Sequence, residues 1–456
     1  MLQFAAGLVL LITCGAAVVA KVINVGPPGS GADYEMLEVA VDNAEAGDVI
    51  AVHPRPGNAP YTQTALLIDR RLFIYAVRDA NAPPIPLTGD GFDYDGVGAT
   101  PRAIVEFLPR ASGSILKGFE LSGARNASGN AAGVRILGAN QVAIRQCDIH
   151  HNDMGVMSSP FSQEHAAADQ LIEDCEIHHN APPAGSEAAA GREGMAHNLY
   201  LAGESATVIG CNIHDALDGH NIKSRARFTL IEANYIHHAR NREIDLVDSA
   251  MTVQAGANAT VIGNVIVKTP QADEDPQRRG NRAVIQFGQD GQASRYGTLY
   301  LLFNTIVTPY VSPVVELSSP NVGLMMINNL IADEGAPVRG QTLVAADRNG
   351  ATLRYVRGSH NWFSPGFAAS ADALMLTDNL ATQGVPPFRD PAAGDYRLRL
   401  ATSGITDAGL RSFGLPPIPG KTLGGQALEL NQFTPPAGHA LRTFRNAPDV
   451  GAYESQ

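Results

Sequence analysis

The sequence predicts an all-β protein, a right-handed parallel β-helix in which short strands wind into stacked coils. Two observations lead to this fold class. A short motif recurs along the chain, and the apolar runs between its copies alternate with a period of two and stop after four to six residues at Gly, Asn or Pro. A helical repeat is excluded, because the buried face of a helix recurs every ~3.6 residues.

The recurring motif keeps one position fixed while the loops around it vary in length. Its copies read IRQCDIHHN, IEDCEIHHN, VIGCNIHDA, IEANYIHHA, VIGNVIVKT, LLFNTIVTP and MMINNLIAD, and the fixed positions are 28, 36, 23, 30, 40 and 24 residues apart. LKGFELSG and GSHNWFS are weaker copies. Such spacings fit one coil of three short strands with loops. The fixed position is Cys147, Cys175, Cys211, Asn234, Asn264, Asn304 and Asn328.

The residues at the fixed position predict how the coils are held together. We expect the asparagines to hydrogen-bond to main-chain groups at a turn closed to water. Once the predicted signal peptide with Cys14 is removed, three cysteines remain. They lack CxxC spacing and are odd in number, so we expect buried, stacked, small apolar residues, not disulfides or metal ligands.

Both ends of an open β-helix need a cover, because exposed strand edges pair with other chains. Residues 33–45, DYEMLEVAVDNAE, predict an N-terminal capping helix, and AGDVIAV at 46–52 then starts the first strand. The repeat fades after residue 364 into Pro- and Gly-rich sequence. The predicted divisions are a signal peptide at 1–20, the β-helix at 21–364 and an irregular C-terminal capping segment at 365–456 packed on the β-helix.

The first twenty residues, MLQFAAGLVLLITCGAAVVA, predict a signal peptide. The apolar run is too short for a spanning helix, and Val18 and Ala20 suit the −3 and −1 positions of a cleavage site. We therefore expect a secreted or periplasmic bacterial protein. Two alternatives stay open: a weak anchor, because the run lacks a basic leader, and lipidation of Cys14 in LITC.

A cluster of cations stands out in this acidic chain, whose formal net charge is −12. The segment GHNIKSRA places His220, Lys223 and Arg225 within six positions. The chain has no Gly-rich phosphate loop, no nucleotide fingerprint and no basic patch of the nucleic-acid type. Nucleotides and nucleic acids are therefore not expected as partners, and the protein is expected to be a monomer.

Strand alternation predicts that these cations lie on one outward face, with neighbouring coils ~4.8 Å apart. Loops at 159–196 and 270–282 are expected to flank this face and make it a groove. A groove of this kind suits an extended anionic polysaccharide, whose carboxylates meet the cations while Tyr200 stacks on a sugar ring. The residues predicted to face outward are Arg135, Asn198, Tyr200, Asn221, Lys223, Arg225, Thr252, Gln254, Gln286 and Glu316.

The mature chain resembles the pectate-lyase-like superfamily from VGPPGSGADYEMLEVAVDNAEAGDVIAV to PDVGAYE. The resemblance implies the β-helix fold over nearly the whole mature chain. Members of that superfamily include lyases, hydrolases, epimerases, esterases and adhesive surface proteins. The resemblance therefore leaves the activity open.

A sharper resemblance covers about 65 residues around the cations. IKS followed by AMTVQAGANATVIGN is similar to the alginate lyases and chondroitinase B of polysaccharide lyase family six. The resemblance implies that Lys223 is the base that removes the C5 proton of a uronic acid before β-elimination. Gln254 stands where that family has its arginine acid, so Arg225, Arg242 and Tyr200 are the candidates for the acid.

The same family binds calcium to the substrate carboxylate, and the resemblance implies where calcium would bind here. Asp218 matches the nearer acidic ligand and Asn198 the asparagine one coil earlier. Ala216 stands at the position of the farther acid.

Several polar residues near the cations have two interpretations each. His197 and His220 are either general bases or imidazoles hydrogen-bonded at coil corners. The repeated IHH and IHD sequences predict a histidine column that is a structural ladder at a turn, with a metal-binding stack as the alternative. RNREIDLVDSA at 240–250 is expected to be a projecting loop whose carboxylates form either a hydrolase pair or ion pairs, and Arg242 and Glu243 are further candidate substrate contacts.

The expected function is that of an exported polysaccharide lyase acting on a uronic-acid-containing polymer. The first alternative is a polygalacturonase-like hydrolase: DGHNIKS keeps Asp218 of the usual aspartate pair, but Leu217 replaces its neighbour. The second alternative is a non-catalytic carbohydrate-binding or surface protein.

Overall fold

The computed structural model of the chain describes most of its 456 residues. Residues 1–19 of the predicted signal peptide and the whole of the second flanking loop, 270–282, lie outside the described residues. The described ranges are 20–79, 81–268, 283–291, 293–308, 313–333, 341–346, 348–364, 367–368, 375–377, 380–381, 386–411, 430–443 and 446–455.

Three long parallel sheets run side by side along the molecule and confirm the predicted right-handed parallel β-helix. Most coils contribute one strand to each sheet in turn, so neighbouring strands of a sheet come from successive coils. Residues at matching positions are in register: Ile177 pairs with Ile149 of the previous coil and Ile213 of the next. All three are fully buried and belong to one continuous core. Each such side chain contributes about 2 kcal/mol by its burial.

Within the described residues, the strands of each long sheet follow one another in chain order from one end of the molecule to the other. Sheet 1 contains Val22–Val25, Val49–Val52, Phe73–Ala76, Ile115–Lys117, Ala143–Arg145, Gln170–Glu173, Ser205–Ile209, Phe228–Glu232, Ala259–Ile262, Gly297–Leu302, Val322–Ile327, Val356–Ser359 and Met375–Thr377. Sheet 2 contains Leu66–Ile68, Ala103–Phe107, Ala132–Leu137, Met154–Ser159, Leu199–Leu201, Ile222–Ser224, Ile244–Leu246, Ile285–Gly288, Val315–Ser318 and Val344–Ala345. Sheet 3 contains Tyr61–Thr62, Ile85–Thr88, Phe119–Ser122, Asp148–His150, Glu176–His178, Asn212–His214, Tyr235–His237, Val265–Val267, Thr305–Val307, Leu330–Ala332, Trp362–Phe363 and Leu380–Ala381.

A buried asparagine ladder joins successive coils at the turn between sheets 1 and 3, as the repeat predicts. The side chain of Asn264 donates from Nδ2 to Ile231 O at 2.9 Å and to Asn304 Oδ1 at 3.0 Å. The ladder continues through Asn329, so the prediction of Asn328 at this position is wrong by one residue. MMINNLIAD contains two consecutive asparagines, and the repeat was aligned on the first, Asn328, when the second, Asn329, is the ladder residue. The ladder consists of Asn234, Asn264, Asn304, Asn329 and Asn361.

The cysteines extend the same ladder in earlier coils. The main-chain amide of Cys147 donates to Cys175 Sγ at 3.5 Å, and that of Cys175 donates to Cys211 Sγ at 3.4 Å. All three are free and buried, which confirms the prediction. Burial raises the pKa of the Cys147 and Cys175 thiols well above its ordinary value.

An α-helix, Leu37–Asn43, lies where the capping helix is predicted. Its buried residues Leu37, Ala40 and Val41 join the core of the β-helix, while the apolar residues Met36 and Val39 are exposed. The first strand is Val22–Val25, one strand earlier than predicted. Short 3₁₀ turns occur at Pro56–Asn58, Pro109–Ala111, Leu353–Tyr355 and Pro391–Ala393. Within the described ranges, no helix is both long and apolar enough to cross a membrane.

The sheets continue past the predicted boundary at 364, through Met375–Thr377 and Leu380–Ala381. Described parts of the later sequence pack on the outside of the coils. The amide of Ala452 donates to Thr305 Oγ1 at 3.0 Å, and His439 Nδ1 lies 2.8 Å from Asp174 Oδ1. Three additional two-stranded sheets pair Gln341–Thr342 with Phe367–Ala368, Phe388–Asp390 with Asp395–Leu398, and Asn431–Phe433 with His439–Leu441.

Candidate functional site

The outward residues at the centre of the sheet 2 strands form one row, which we call the central row. Tyr200 pairs in register with Lys223, and Lys223 pairs with Asp245. The predicted outward positions of Arg135, Tyr200, Lys223, Gln286 and Glu316 are confirmed by this register. In spatial order the row is Glu106, Arg135, Met157, Tyr200, Lys223, Asp245, Gln286, Glu316 and Ala345.

Lys223 lies between two carboxylates of different exposure. Its Nζ is 3.1 Å from Asp245 Oδ2 and donates to Asp290 Oδ2 at 2.7 Å. The Asp245 side chain is 1% exposed, whereas that of Asp290 is 40% exposed. One carboxylate is therefore part of the protein interior and the other faces solvent.

Arg225 converges on the same exposed carboxylate. Its Nη2 donates to Asp290 Oδ2 at 2.8 Å, and its Nε donates to the Tyr200 hydroxyl at 2.9 Å. Nη1 donates to the main-chain oxygen of Asp248. We call Tyr200, Lys223, Arg225 and Asp290 the cation site.

Neighbouring charges set the protonation of the site. Burial by itself would lower the pKa of Lys223, but the carboxylates of Asp245 and Asp290 outweigh it and raise that pKa above its ordinary value. The positive charge of Arg225 also acts to lower the pKa of Lys223, but its effect is smaller than that of the carboxylates. Burial would likewise raise the pKa of Asp245, yet Lys223 and Arg242 lower it. At neutral pH Lys223 is therefore protonated and the buried Asp245 beside it is ionised.

Asp248 holds the turn that presents Asp290. Its Oδ1 accepts from the amides of Asp290 at 2.6 Å and Gly291 at 2.8 Å, and its Oδ2 accepts from Ala293 at 3.1 Å. Gln286 supports the base of this turn by donating to Gln289 O at 3.1 Å. The exposed carboxylate is thus fixed by main-chain contacts that leave its own oxygens for the two cations.

His197 and His220 lie beneath the cation site and are 2% and 3% exposed. His197 Nδ1 accepts from the amide of His220 at 3.0 Å, and His220 Nδ1 accepts from the amide of Arg242 at 3.1 Å. Each imidazole therefore has its proton on Nε2, and His220 Nε2 lies 3.3 Å from Asp245 Oδ2. Burial is the main cause that holds the pKa of both well below the ordinary value. This geometry fits hydrogen-bonded imidazoles at a coil corner.

Two residues expected in the row lie elsewhere. AMTVQAG forms a turn, in which Gln254 is exposed and Thr252 is buried against Ser249. The strand of this coil is Ile244–Leu246, inside the run predicted to be a projecting loop. Ile244 and Leu246 are buried in the core on either side of Asp245. This burial of alternate residues makes the segment a strand, although charged residues surround it.

Asn198, Asn221 and Glu243 face into the protein, so the predicted outward positions of Asn198 and Asn221 are wrong, and Glu243, a candidate substrate contact, is also buried. All three have no exposed area and form a second ladder at the turn between sheets 3 and 2. Asn198 Nδ2 donates to Asn221 Oδ1 at 2.8 Å, and Asn221 Nδ2 donates to Glu243 Oε2 at 2.6 Å. Burial raises the pKa of Glu243 to about 7. Alternation does not apply here, because these residues precede the strands.

Two further candidates are engaged with other protein groups. Arg242 is 5% exposed, and its guanidinium lies 3.1 Å from Glu316 and 3.5 Å from Asp245. Arg135 Nε lies 3.6 Å from Glu106, and burial lowers the pKa of Arg135. Arg242 is therefore an interior group, while Arg135 lies on the central row two strands from Tyr200.

The residues expected to bind calcium do not fit that ion. Asp218 uses both carboxylate oxygens to accept from the amides of Gly194 at 2.9 Å and Ala196 at 3.0 Å. The side-chain oxygen of Asn198 accepts from Asn180 Nδ2 at 2.9 Å. Calcium needs six to eight oxygen ligands, and these oxygens already serve hydrogen bonds. Asp218 instead fixes the end of the insertion between sheets 3 and 2.

Sequence reasoning missed the role of Asp290 and misplaced Asp245. The available signal for Asp245 was the apolar–polar–apolar triplet IDL, which matches the IKS and LYL triplets of the two preceding coils. Asp290 lies in the turn QDG after a strand, and nothing in that turn predicts contact with a residue 67 positions earlier. The first flanking loop also differs: residues 170–178 within 159–196 form strands of sheets 1 and 3.

Comparisons with known proteins bear on the fold. A protein-family sequence model described as "Right handed beta helix region" matches residues 116–290 of this chain. Pectate lyase Pel9A is 12% identical with a TM-score of 0.51, over 96% of this chain and 98% of that one. DFA-IIIase from Arthrobacter chlorophenolicus A6 is 12% identical with a TM-score of 0.41, over 80% and 98%. No curated protein sequence matches. The family match and the similarity to pectate lyase Pel9A show the fold alone: the chain is a right-handed parallel β-helix.

Proposed function

We propose that this chain is an exported enzyme that cleaves a uronic-acid-containing polysaccharide by β-elimination at the cation site. The observation that carries the proposal is the pair of cations, Lys223 and Arg225, that converge on one oxygen of the exposed carboxylate of Asp290. A substrate carboxylate has the same charge and geometry as this side chain. It can take the place of Asp290 between the two cations.

The surroundings of the pair support a polymer as the substrate. The central row extends along sheet 2 for several coils on either side of Lys223, so an extended chain can lie along it. Arg135 lies two strands from Tyr200, which is about 10 Å at the usual strand spacing. That distance lets Arg135 meet a second acidic sugar. The resemblance of IKS to the alginate lyase and chondroitinase B family supports the same assignment of Lys223.

The elimination step uses three side chains. Arg225 binds the substrate carboxylate and so stabilises the charge that develops when the C5 proton is removed. The neutral amine of Lys223 takes this proton, the C4–O bond breaks, and a C4=C5 double bond forms. The Tyr200 hydroxyl donates its proton to the departing sugar oxygen, and Arg225 Nε stabilises the resulting phenolate. The step is balanced without an oxidant or reductant.

The test is to mix the protein with alginate, pectate and glycosaminoglycans, with and without a chelator, and to record ultraviolet absorbance. Only elimination creates the conjugated double bond that absorbs there. We expect Lys223→Ala to lower the rate by about 10²–10⁴-fold, as for loss of a general base. His150→Ala, on sheet 3, is expected to keep the rate.

The other outcomes identify the alternatives. New reducing ends without absorbance would indicate hydrolysis, with exposed Asp290 as the carboxylate in the site. Binding of a polymer without either product would indicate a carbohydrate-binding protein. Either result would overturn the lyase assignment.

A further inference from the structure

A second cluster of reactive side chains lies on sheet 3, on a different sheet from the cation site. Four successive coils present an imidazole at the same outward position, and neighbouring rings stack with centroids 4.9 Å apart. A second column follows one residue later, where the third coil has an aspartate in place of histidine. We call these residues the histidine face: His150, His151, His178, His179, His214, Asp215, His237 and His238.

The two columns touch through polar atoms. His178 Nδ1 is 2.7 Å from His179 Nδ1, and His214 Nδ1 is 2.7 Å from Asp215 Oδ2. This contact arises from the backbone, because His179 and Asp215 have φ of 53° and 48°, in the left-handed region. That conformation turns each side chain back towards the preceding imidazole.

Coil stacking does not require these imidazoles. One coil before the face, Ser122 takes the place of His150, and Gly123 follows where His151 stands, with the pairing uninterrupted. One coil after the face, Val267 pairs with His237. A glycine is the residue that adopts the left-handed turn at least cost. The fold therefore does not require histidine at these positions.

The centre of the face brings together a mixed nitrogen and oxygen donor set. His179, His214 and Asp215 each offer one ligand atom, these atoms lie within 4.8 Å of one another, and all three residues are half-buried. His238 Nδ1 lies 3.9 Å from Asp215 Oδ1. Imidazole and carboxylate are the ligands of Zn²⁺, at bond lengths of about 2.0–2.2 Å. Small side-chain rotations bring the donors to the roughly 3.4 Å separations that a tetrahedral ion requires.

We propose that the histidine face binds a transition-metal ion of the Zn²⁺ class through His179, His214 and Asp215, with His238 as the fourth ligand. The ion takes the place of the proton that His214 Nδ1 shares with Asp215. His179 and Asp215 each lead into a segment that returns to sheet 2, and these segments already meet through Asp218 and Gly194. The bound metal therefore fixes the segments that border the cation site.

The test uses the protein without a polyhistidine tag, stripped with a chelator and titrated with ZnCl₂ in a calorimeter. We expect saturable binding of one ion and a rise in the thermal midpoint on addition of Zn²⁺. The double variant His179→Asn/Asp215→Asn removes two ligands, while asparagine tolerates the left-handed backbone. We expect it to bind Zn²⁺ at least ~100-fold more weakly, more than loss of an outer contact costs.

A matched variant and a fold control make the outcome decisive. His165→Asn changes a half-buried histidine outside the face and is expected to bind Zn²⁺ as the wild type does. Circular dichroism and the metal-free thermal midpoint show whether each variant is folded. Absence of saturable Zn²⁺ binding by the wild type would overturn the proposal, and so would equal affinity of a folded double variant.

Discussion

At the scale of single residues, the cation site depends on how two carboxylates differ. Asp245 is buried beneath Lys223, and its negative charge balances the positive charges of Lys223 and Arg242. Asp290 is exposed and reaches the same lysine from the solvent side. The first carboxylate is a structural counter-ion, and the second occupies the place that we assign to the substrate.

The pH dependence of cleavage follows from the raised pKa of Lys223. A lysine acts as a base only after it loses its proton, so we expect the rate to rise with pH towards the ordinary lysine pKa of 10.5 and beyond. Asp290→Asn removes one of the two carboxylates that raise this pKa, and the rising limb should move to lower pH. The measurement is the rate of absorbance increase as a function of pH.

The same Asp290→Asn variant tests the substrate position. Without the competing carboxylate, the polymer should bind more tightly and KM should fall. Asp395→Asn, an ion-paired surface acid, is the control and should leave both quantities unchanged. An unchanged or higher KM in Asp290→Asn would contradict displacement of Asp290 by the substrate.

Asp245→Asn is expected to destabilise the fold. It removes the buried counter-ion of Lys223 and one of the two buried carboxylates beside Arg242. Loss of one partner of a buried pair costs about 3–5 kcal/mol. The folded pKa of Asp245 is lowered, so its contribution is present above the ordinary value of 3.8 and is lost as pH falls through the folded pKa. Urea unfolding at neutral pH and below pH 3.8 should show the difference from wild type shrinking on acidification. Equal stability of the variant at neutral pH would refute this.

At the scale of elements, the buried ladders hold the coils together where strand pairing stops. Asn264 shows how: its nitrogen donates to two main-chain oxygens and to Asn304, and its oxygen accepts from Asn234. Each coil turn is therefore tied to the coils before and after it. In a solenoid each coil contacts only its two neighbours. Each asparagine of the ladder therefore stabilises its own coil and the two coils beside it.

Asn264→Ala is expected to lower the free energy of unfolding by roughly 3 kcal/mol, because it leaves several buried main-chain groups unpaired. The control is Asn43→Ala at the exposed end of the capping helix, with an expected change within about 0.5 kcal/mol. Chemical denaturation of the two variants measures both. A loss at Asn264 no larger than that at Asn43 would show that the ladder does not stabilise the coils.

At the scale of the whole molecule, the C-terminal residues pack against the outside of coils formed by residues much earlier in the chain. Arg442 is 3% exposed, donates to Gly451 O at 2.6 Å and Asp449 O at 2.8 Å, and lies over the Phe303 ring at 5.1 Å. It thereby ties the final residues to the coil that contains Phe303.

Arg442→Ala should detach the final residues of the chain from the coil that contains Phe303. The buried acceptors lose their donor, and we expect a loss of about 3 kcal/mol together with faster proteolysis of the C-terminal residues. Arg397→Ala removes a surface ion pair and is the matched control, with little expected change. Limited proteolysis followed by mass spectrometry locates the cleavage. Cleavage no faster than in the control would mean that Arg442 does not hold the segment.

The repeat, the three-strand coil, the asparagine and cysteine ladders and the row that joins Tyr200 to Lys223 can all be predicted from the amino-acid sequence. These features follow from local alternation and from spacing, which a solenoid converts directly into position. The folded structure was needed to show that IDL and not AMTVQAG forms the next strand of sheet 2. It also decided that Asn198 and Asn221 turn inward, and that Asp290 closes the cation site. These outcomes depend on where a coil turns and on contacts between residues far apart in the chain, which the period of the sequence does not encode.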